Sequence, residues 1–290
     1  MEMRGAGETG IKTVLKQLIA RFGYEVKRSD LYDLSVIANL RARDIGPLSD
    51  AARLEVEVLP KLGLNNEELN EMPDELYQFC GRGLHYWQYP NQFSKYLVRL
   101  SQFKVESYLE IGVRHGGTFV ITVEYLSRFH PLKCAIGLDI ESFSLLLTYE
   151  RMNHNVIYML GDSRSSAFKE FIRRQNEFDL VLIDGDHEEG ACQSDFETVR
   201  EKANICVLHD ITSDSAPGPG RVWNRIKSTY ANEYEFFEYT QQYESVRNRT
   251  GKSYLGIGMA VKKDFLISRR AVNSTTGAGG VGESRVPPGD

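Results

Sequence analysis

The chain has 290 residues, 41% of them hydrophobic, and a formal net charge of −5. That length and apolar share suit one large domain, or a core domain with an appendage, around a substantial core. The slightly acidic balance gives no reason to expect a nucleic-acid partner, and no run approaches the roughly 20 apolar residues that span a bilayer.

The first ten residues, Met1 to Gly10, lack the apolar centre of a secretory leader. The four cysteines, Cys80, Cys134, Cys192 and Cys206, are scattered with no CxxC pair. Cys134 and Cys206 fall in apolar runs, so buried thiols are expected rather than ligands or disulfides. Both observations make a cytoplasmic protein the expectation.

Residues 1–80 read as a helical N-terminal extension. Ile11–Ala20 carries apolar residues at helical spacing. Ala51–Leu59 is a second predicted helix, capped by Ser49 or Asp50 and stopped by Pro60. Asn66–Glu71 is a third, short one. Nothing in the extension carries chemistry, and covering one side of the core, or an oligomer contact within a homo-oligomer, is its expected role. Gly81–Phe93 is aromatic, polar and irregular. It reads either as an anchored surface loop or as a pocket wall, and its place before a predicted helix at Gln92–Ser101 favours the wall.

From Glu106 onward short apolar runs alternate with helical segments. Strands are predicted at 107–111, 134–140, 156–160, 180–184 and 205–210, and helices at 118–129, 143–153, 165–176, 192–203 and 221–230. Such alternation implies a parallel sheet covered on both faces. Tyr234–Thr240 and Tyr254–Val261 then read as an antiparallel hairpin at the end of the sheet. The fold class is therefore α/β: a Rossmann-like, mostly parallel seven-stranded sheet over residues 81–265. Residues 272–290 are rich in Gly, Ser, Pro and Thr and are expected to be a disordered tail.

In open α/β sheets ligands gather at the carboxyl ends of the strands. Here those ends are acidic: Glu110, Asp139, Asp162, Asp184 with Asp186, and Asp210. Gathering several carboxylates is costly unless donors or a cation answer them. The first strand enters a glycine turn with Gly112, Gly116 and Gly117, where backbone can approach a ligand closely. This spacing is not the G-x-G-x-x-G of a dinucleotide site, which disfavours a nicotinamide-dependent oxidoreductase. Asp139 lies one strand–helix–strand unit downstream, where a carboxylate can accept both ribose hydroxyls. Asp162 can face an adenine amino group with Ser163 beside it, or cap the helix starting near Ser165. His187 and His209 flank the acidic ends, either as ligands or as satisfied histidines.

Tyr-Leu-Glu110-Ile-Gly112-x-x-x-Gly116-Gly117 followed by Gly-Leu-Asp139 resembles the S-adenosylmethionine pocket of class I methyltransferases. Asp184-Gly-Asp186-His187 and His209-Asp210 narrow the resemblance to metal-dependent small-molecule O-methyltransferases, the macrocin and noviose sugar O-methyltransferases and the cephalosporin hydroxylase-like group. It covers about residues 84–261. The resemblance implies a methyl transfer to a hydroxyl of a sugar or other polyol-bearing small molecule, with magnesium or another divalent cation. It puts Asp184 and Asp210 at metal positions and Asp186 in the role of general base, with His187 as rival. His209 stands where such enzymes often carry a carboxylate. Magnesium prefers oxygen ligands, so a softer metal or a substrate-orienting role is open for His209. Physically, a metal-bound hydroxyl is easier to deprotonate and a nearby base then takes the proton. The alternative is a non-catalytic binding or assembly domain that keeps the cosubstrate pocket. Asp214–Gly220 is expected to be a flexible loop able to close over substrate or merely to connect. Trp223 is expected in the core rather than on an acceptor ring.

Overall fold

The seven strands of the main sheet divide where the chain reverses direction across it. In the computed structural model, which describes residues 31–266, they are β1 (Ser107–Ile111), β2 (Cys134–Asp139), β3 (Val156–Leu160), β4 (Phe178–Ile183), β5 (Ala203–Leu208), β6 (Tyr234–Tyr239) and β7 (Ile257–Lys262). Their order is β3-β2-β1-β4-β5-β7-β6. The first five pair in parallel, and β7 runs antiparallel to both β5 and β6. The predicted helix at 11–20 and the tail from 272 lie outside the described residues.

Alternation along each strand sends side chains to two cores. In β4, Leu180 and Leu182 face one side while Val181 and Ile183 face the other. The first face is covered by α1 (Pro90–Leu100), α2 (Gly117–Leu126) and α3 (Ser144–Met152), together with Leu40, Leu54, Leu59 and Leu64 of the lead-in. The second is covered by α4 (Ser166–Arg174), α5 (Glu189–Val199) and α6 (Pro217–Thr229). A further helix, α7 (Glu244–Thr250), lies between β6 and β7 in sequence. Residues 32–266 form one compact unit.

In the lead-in one of the two cap candidates is selected, and two other expectations change. Asp50 is the cap, accepting from the backbone N–H of Ala52 at 2.9 Å. Pro60 does not stop the helix. A π-helical turn over Leu54–Val58 opens the ladder ahead of the proline, whose missing N–H then costs nothing, and the helix resumes over Leu59–Leu62. Asn66–Glu71 holds only a 3₁₀ turn at Leu69–Glu71.

Trp223 is core, as expected. Its ring meets Phe236 edge-on at 5.5 Å, and its Nε1 donates to Glu238 at 2.6 Å. All four cysteines are free; Cys192 and Cys206 are buried, Cys80 and Cys134 half-buried. Burial pushes the Cys192 and Cys206 thiols up to about 12. Among the described residues no helix is long and apolar enough to cross a membrane.

Candidate functional site

β1 and β4 are neighbours, but the chain leaves them toward opposite sides of the sheet, so their carboxyl ends open a crevice. A cavity of about 860 Å³ fills it. Glu110, Gly112, Gly116, Gly117, Asp139, Asp162, Ser163, Asp184, Asp186, His187, His209 and Asp210 all border this one cavity. His85, Tyr86 and Trp87 of the aromatic loop border it too, so that loop is a wall.

The glycine turn is set by packing as well as by access. Gly112 has φ +83° and a Cβ there would run into the carbonyl oxygen of Asp184. Gly116, at φ +87°, caps α2, and a Cβ on Gly117 would press on the backbone of Leu84 and Tyr86. Asp139 ties the turn to the next loop: its Oδ2 accepts from Arg114 N at 2.6 Å and its Oδ1 from Glu141 N at 3.0 Å. Glu110 is 1% exposed and receives a hydrogen bond from the Tyr108 hydroxyl. Burial holds its carboxyl well above the usual carboxylate range against that bond, with the charges of Asp184 and Asp139 adding to the rise.

At the end of β3, Asp162 does not cap α4. Ser165 does, accepting from Phe168 N at 3.1 Å. The Asp162 carboxylate instead accepts from the backbone N–H of Arg164 at 2.8 Å and pairs with its guanidinium. Arg164 also reaches Asp186 at 3.3 Å. It thus bridges the ends of β3 and β4.

Across the cavity, four side chains form one ion-pair cluster. His209 Nδ1 lies 2.8 Å from Asp184 Oδ1, and His187 spans Asp184 at 3.2 Å and Asp210 at 3.0 Å. Burial opposes charge on Asp184, yet His209 and His187 outweigh it and hold the carboxyl at about 2. Burial likewise opposes charge on His187, but Asp184 and Asp210 raise it to about 10. His209 is raised for the same reason, against its burial. Asp210 adopts φ +58°, a conformation that costs an Asp on the order of 1 kcal/mol and persists only where the surroundings over-determine it.

The cluster suits a divalent cation. One ligand atom each of Asp184, His187 and His209 falls within 4.8 Å of the others. His209 Nε2 and Asp210 Oδ1 are buried with no hydrogen-bond partner among the described residues. A divalent cation would answer the same carboxylates that pair with His187 and His209. With imidazole nitrogen in the set, a transition-metal ion fits better than magnesium.

Several wall residues escaped the sequence reading. Arg164 is one. Glu67, from the lead-in, grips both Arg114 and His115 of the glycine turn. His115 Nδ1 also meets the Tyr32 hydroxyl at 2.8 Å, and Arg114 stacks over Trp87 at 4.8 Å. The only signal was the basic pair inside the glycine turn, which asks for an acidic partner without saying where it lies. The Asp214–Gly220 loop is a correction. Pro217 opens α6 at its first turn, where a proline is favoured, and Gly218 and Pro219 are buried within that helix. The connection from β5 is therefore short, with no glycine-rich flap in it.

Residues 109–211 match a family model described as a methyltransferase domain. The match runs from β1 to just beyond β5 and contains every site residue named from the sequence. None of the curated proteins matches the chain. Among solved structures, an O-methyltransferase from Bacillus cereus in complex with SAH is similar at 14% identity and a TM-score of 0.44, covering 87% of this chain and 100% of that one. TomG from Streptomyces achromogenes, an O-methyltransferase in complex with SAM, is similar at 19% identity and a TM-score of 0.43, covering 79% of this chain and 95% of that one. The MycE methyltransferase, in complex with Mg, SAH and mycinamycin VI, is similar at 18% identity and a TM-score of 0.39, covering 62% of this chain and 50% of that one.

Proposed function

We propose that the protein is an O-methyltransferase that moves the methyl group of S-adenosylmethionine to a hydroxyl of a sugar or other polyol-bearing small molecule, with a divalent cation at the acidic cluster. One observation carries the reading. A single cavity has a glycine turn and Asp139 on one wall and the Asp184, His187, His209 and Asp210 cluster on the other. A methyl donor and a hydroxyl held on those two walls meet without crossing solvent.

On the donor side, the turn residues Gly112, Gly116 and Gly117 hold the amino-acid end, and Asp139 takes the ribose. Glu110 lies beneath the turn, bonded by the Tyr108 hydroxyl, and its burial favours the neutral form. Asp162 and Ser163 face the base. On the acceptor side, Asp184, His209 and Asp210 would hold the cation, whose charge would make an acceptor hydroxyl easier to deprotonate. Asp186 takes the proton. His187 is the rival base, but both its nitrogens face carboxylates, so it must first give up a proton. The sulfonium charge disappears in the transfer, and positioning supplies much of the rate.

Intact-mass screening of sugar and phenolic acceptors tests the reading, run with and without magnesium or manganese. A gain of one methyl group that is lost with chelator supports it. Full-rate methylation in EDTA removes the metal from the reading, and no S-adenosylmethionine binding by calorimetry removes the whole. A second reading, a non-catalytic domain that keeps the cosubstrate pocket, is favoured by one feature: the two histidines already neutralise the acidic cluster. Cosubstrate binding with no methyl gain on any acceptor supports that one.

A further inference from the structure

The lead-in crosses from one wall of the cavity to the other between Glu67 and Glu71. Glu67 grips Arg114 and His115 of the glycine turn. Glu71 reaches the end of β5, where its Oε1 accepts from the Ser215 hydroxyl at 3.3 Å. Both glutamates border the cavity. The backbone under Glu71 is fixed. Its carbonyl accepts from the Tyr89 hydroxyl at 2.5 Å, and Arg249 of α7 donates to the carbonyls of Asn70 at 2.9 Å and Met72 at 2.6 Å. Met72 itself is fully buried.

The two glutamates differ in what answers their charge. Glu67 has a guanidinium and an imidazole. Glu71 is half-buried, and among the described residues its side chain has no ion pair and one long hydrogen bond. Burial, and then the charge of Asp210, raise its carboxyl above the ordinary value, with Lys252 offsetting this only in part. A carboxylate held from behind and unanswered in front gains from a ligand O–H that donates to it.

We propose that Glu71 is an acceptor-binding residue: it accepts a hydrogen bond from a hydroxyl other than the one that takes the methyl group, and so makes the site prefer a polyol ring to a lone hydroxyl. This rests on the acceptor reading above, which puts the reacting hydroxyl at the Asp184, His209 and Asp210 cluster. The backbone N–H of Ser213 donates to the Asp210 carbonyl at 3.3 Å, and the Ser213 and Ser215 hydroxyls meet at 3.0 Å. The wall thus runs from the cluster to Glu71 in two serine steps. A ring with several hydroxyls offers one to the cluster and another to Glu71, whereas a simple phenol has one to offer. An ether or ester in place of the second hydroxyl brings no proton and leaves the carboxylate unanswered, which costs more than an absent bond. Glu71 lies outside residues 109–211, so the lead-in supplies acceptor choice to chemistry housed in the matched domain.

The test sets enzyme variants against single acceptor hydroxyls, on the full chain. Methyl glycosides of hexoses and pentoses are screened by intact mass with S-adenosylmethionine and manganese, and a glycoside that gains a methyl group is compared with its monodeoxy analogues. Glu71→Ala is expected to raise KM for the parent glycoside by about tenfold or more and to leave kcat within about threefold. Glu71→Gln, which keeps a neutral acceptor, should give a smaller rise. One monodeoxy analogue should cost the wild type a similar factor and cost Glu71→Ala nothing further, because the same hydrogen bond is removed from either side. A merely structural role gives additive losses for every analogue, and that result overturns the proposal. So does an unchanged KM in Glu71→Ala that still binds S-adenosylhomocysteine by calorimetry. Should Glu71→Ala lose that binding, Glu71→Gln carries the same comparison. Methyl gain on a phenol but on no glycoside overturns the proposal and leaves the methyl transfer standing. Methyl gain on neither overturns the proposed function, and this proposal falls with it.

Discussion

His209 Nδ1 stands 2.8 Å from Asp184 Oδ1, which joins the ends of two adjacent strands, β5 and β4, by an ion pair inside the cavity wall. The other ring nitrogen of His209 is buried without a hydrogen-bond partner among the described residues. A cation shared with Asp184 and Asp210 would lie on the Nδ1 side of the ring, which faces both carboxylates. Manganese should raise the melting temperature more than magnesium does, by up to about 2.7 kcal/mol of added stability at a hundredfold excess over Kd. His209→Ala should erase the manganese shift. Equal shifts from both ions, kept in His209→Ala, would place the metal elsewhere.

Asp139 is asked to do two things, since its oxygens already hold the N–H groups of Arg114 and Glu141. Asp139→Ala should therefore weaken S-adenosylhomocysteine by about tenfold or more and also lower stability by about 1–3 kcal/mol. Calorimetry and urea unfolding measure the two effects separately. Unchanged affinity would move the ribose contact to another residue.

Asp186 lies at the cavity edge, where Arg164 reaches it at 3.3 Å. Asp186→Ala should leave cosubstrate affinity within about threefold and cut turnover by about a hundredfold or more, the usual worth of a positioned base. Single-turnover kinetics on the acceptor found by mass screening would measure it. Wild-type turnover in this variant would make His187 the next residue to test.

Asp195 gives a stability test with a defined sign. Burial is the main cause that raises its carboxyl to about 6, above the usual range of an aspartate. The folded state therefore prefers the protonated acid. The penalty for ionising it is absent below about pH 4, grows through about pH 6, and is complete above. Asp195→Asn should add on the order of 2 kcal/mol at pH 8 and almost nothing at pH 4. Denaturant melts at the two pH values check this; an equal effect at both would mean that ionisation of Asp195 carries no cost.

Gly218 is in the first turn of α6, and a Cβ there would run into the carbonyl oxygen of His187. Gly218→Ala should cost about 2–4 kcal/mol by pushing the helix from the loop that carries His187 and Asp186. Turnover should fall with it. A neutral result in urea unfolding would mean that the helix start yields freely.

The strands and the cavity's acidic rim were legible because each rests on local pattern: apolar runs of five or six residues, each closed by Glu110, Asp139, Asp184 or Asp210. The class of sheet followed from the alternation with helices. What was hidden depended on partners far along the chain. The glycines 112 and 117 look like ligand clearances, yet both are also pressed by backbone of other segments. His187 and His209 could be read as ligands, but not as an ion-pair cluster shared with Asp184 and Asp210. The run Pro217-Gly-Pro-Gly220 has loop composition, and only its docking against the His187 loop makes it a helix start. Asp195 lies in the middle of a polar helix, where nothing marks it as buried.

The hold of Glu67 on Arg114 and His115 bears on how the chain can be cut. Residues 109–211 resemble a portable module, but the glycine turn inside them is braced by a side chain about forty positions upstream of the match. Leu54, Leu59, Leu62 and Leu64 of the same lead-in are fully covered in the shared core. A fragment starting at residue 81 would bare that apolar face to water and leave the turn unbraced, a combination that favours clumping over folding. Expression trials and domain-swap chimaeras therefore need a starting point no later than Tyr32.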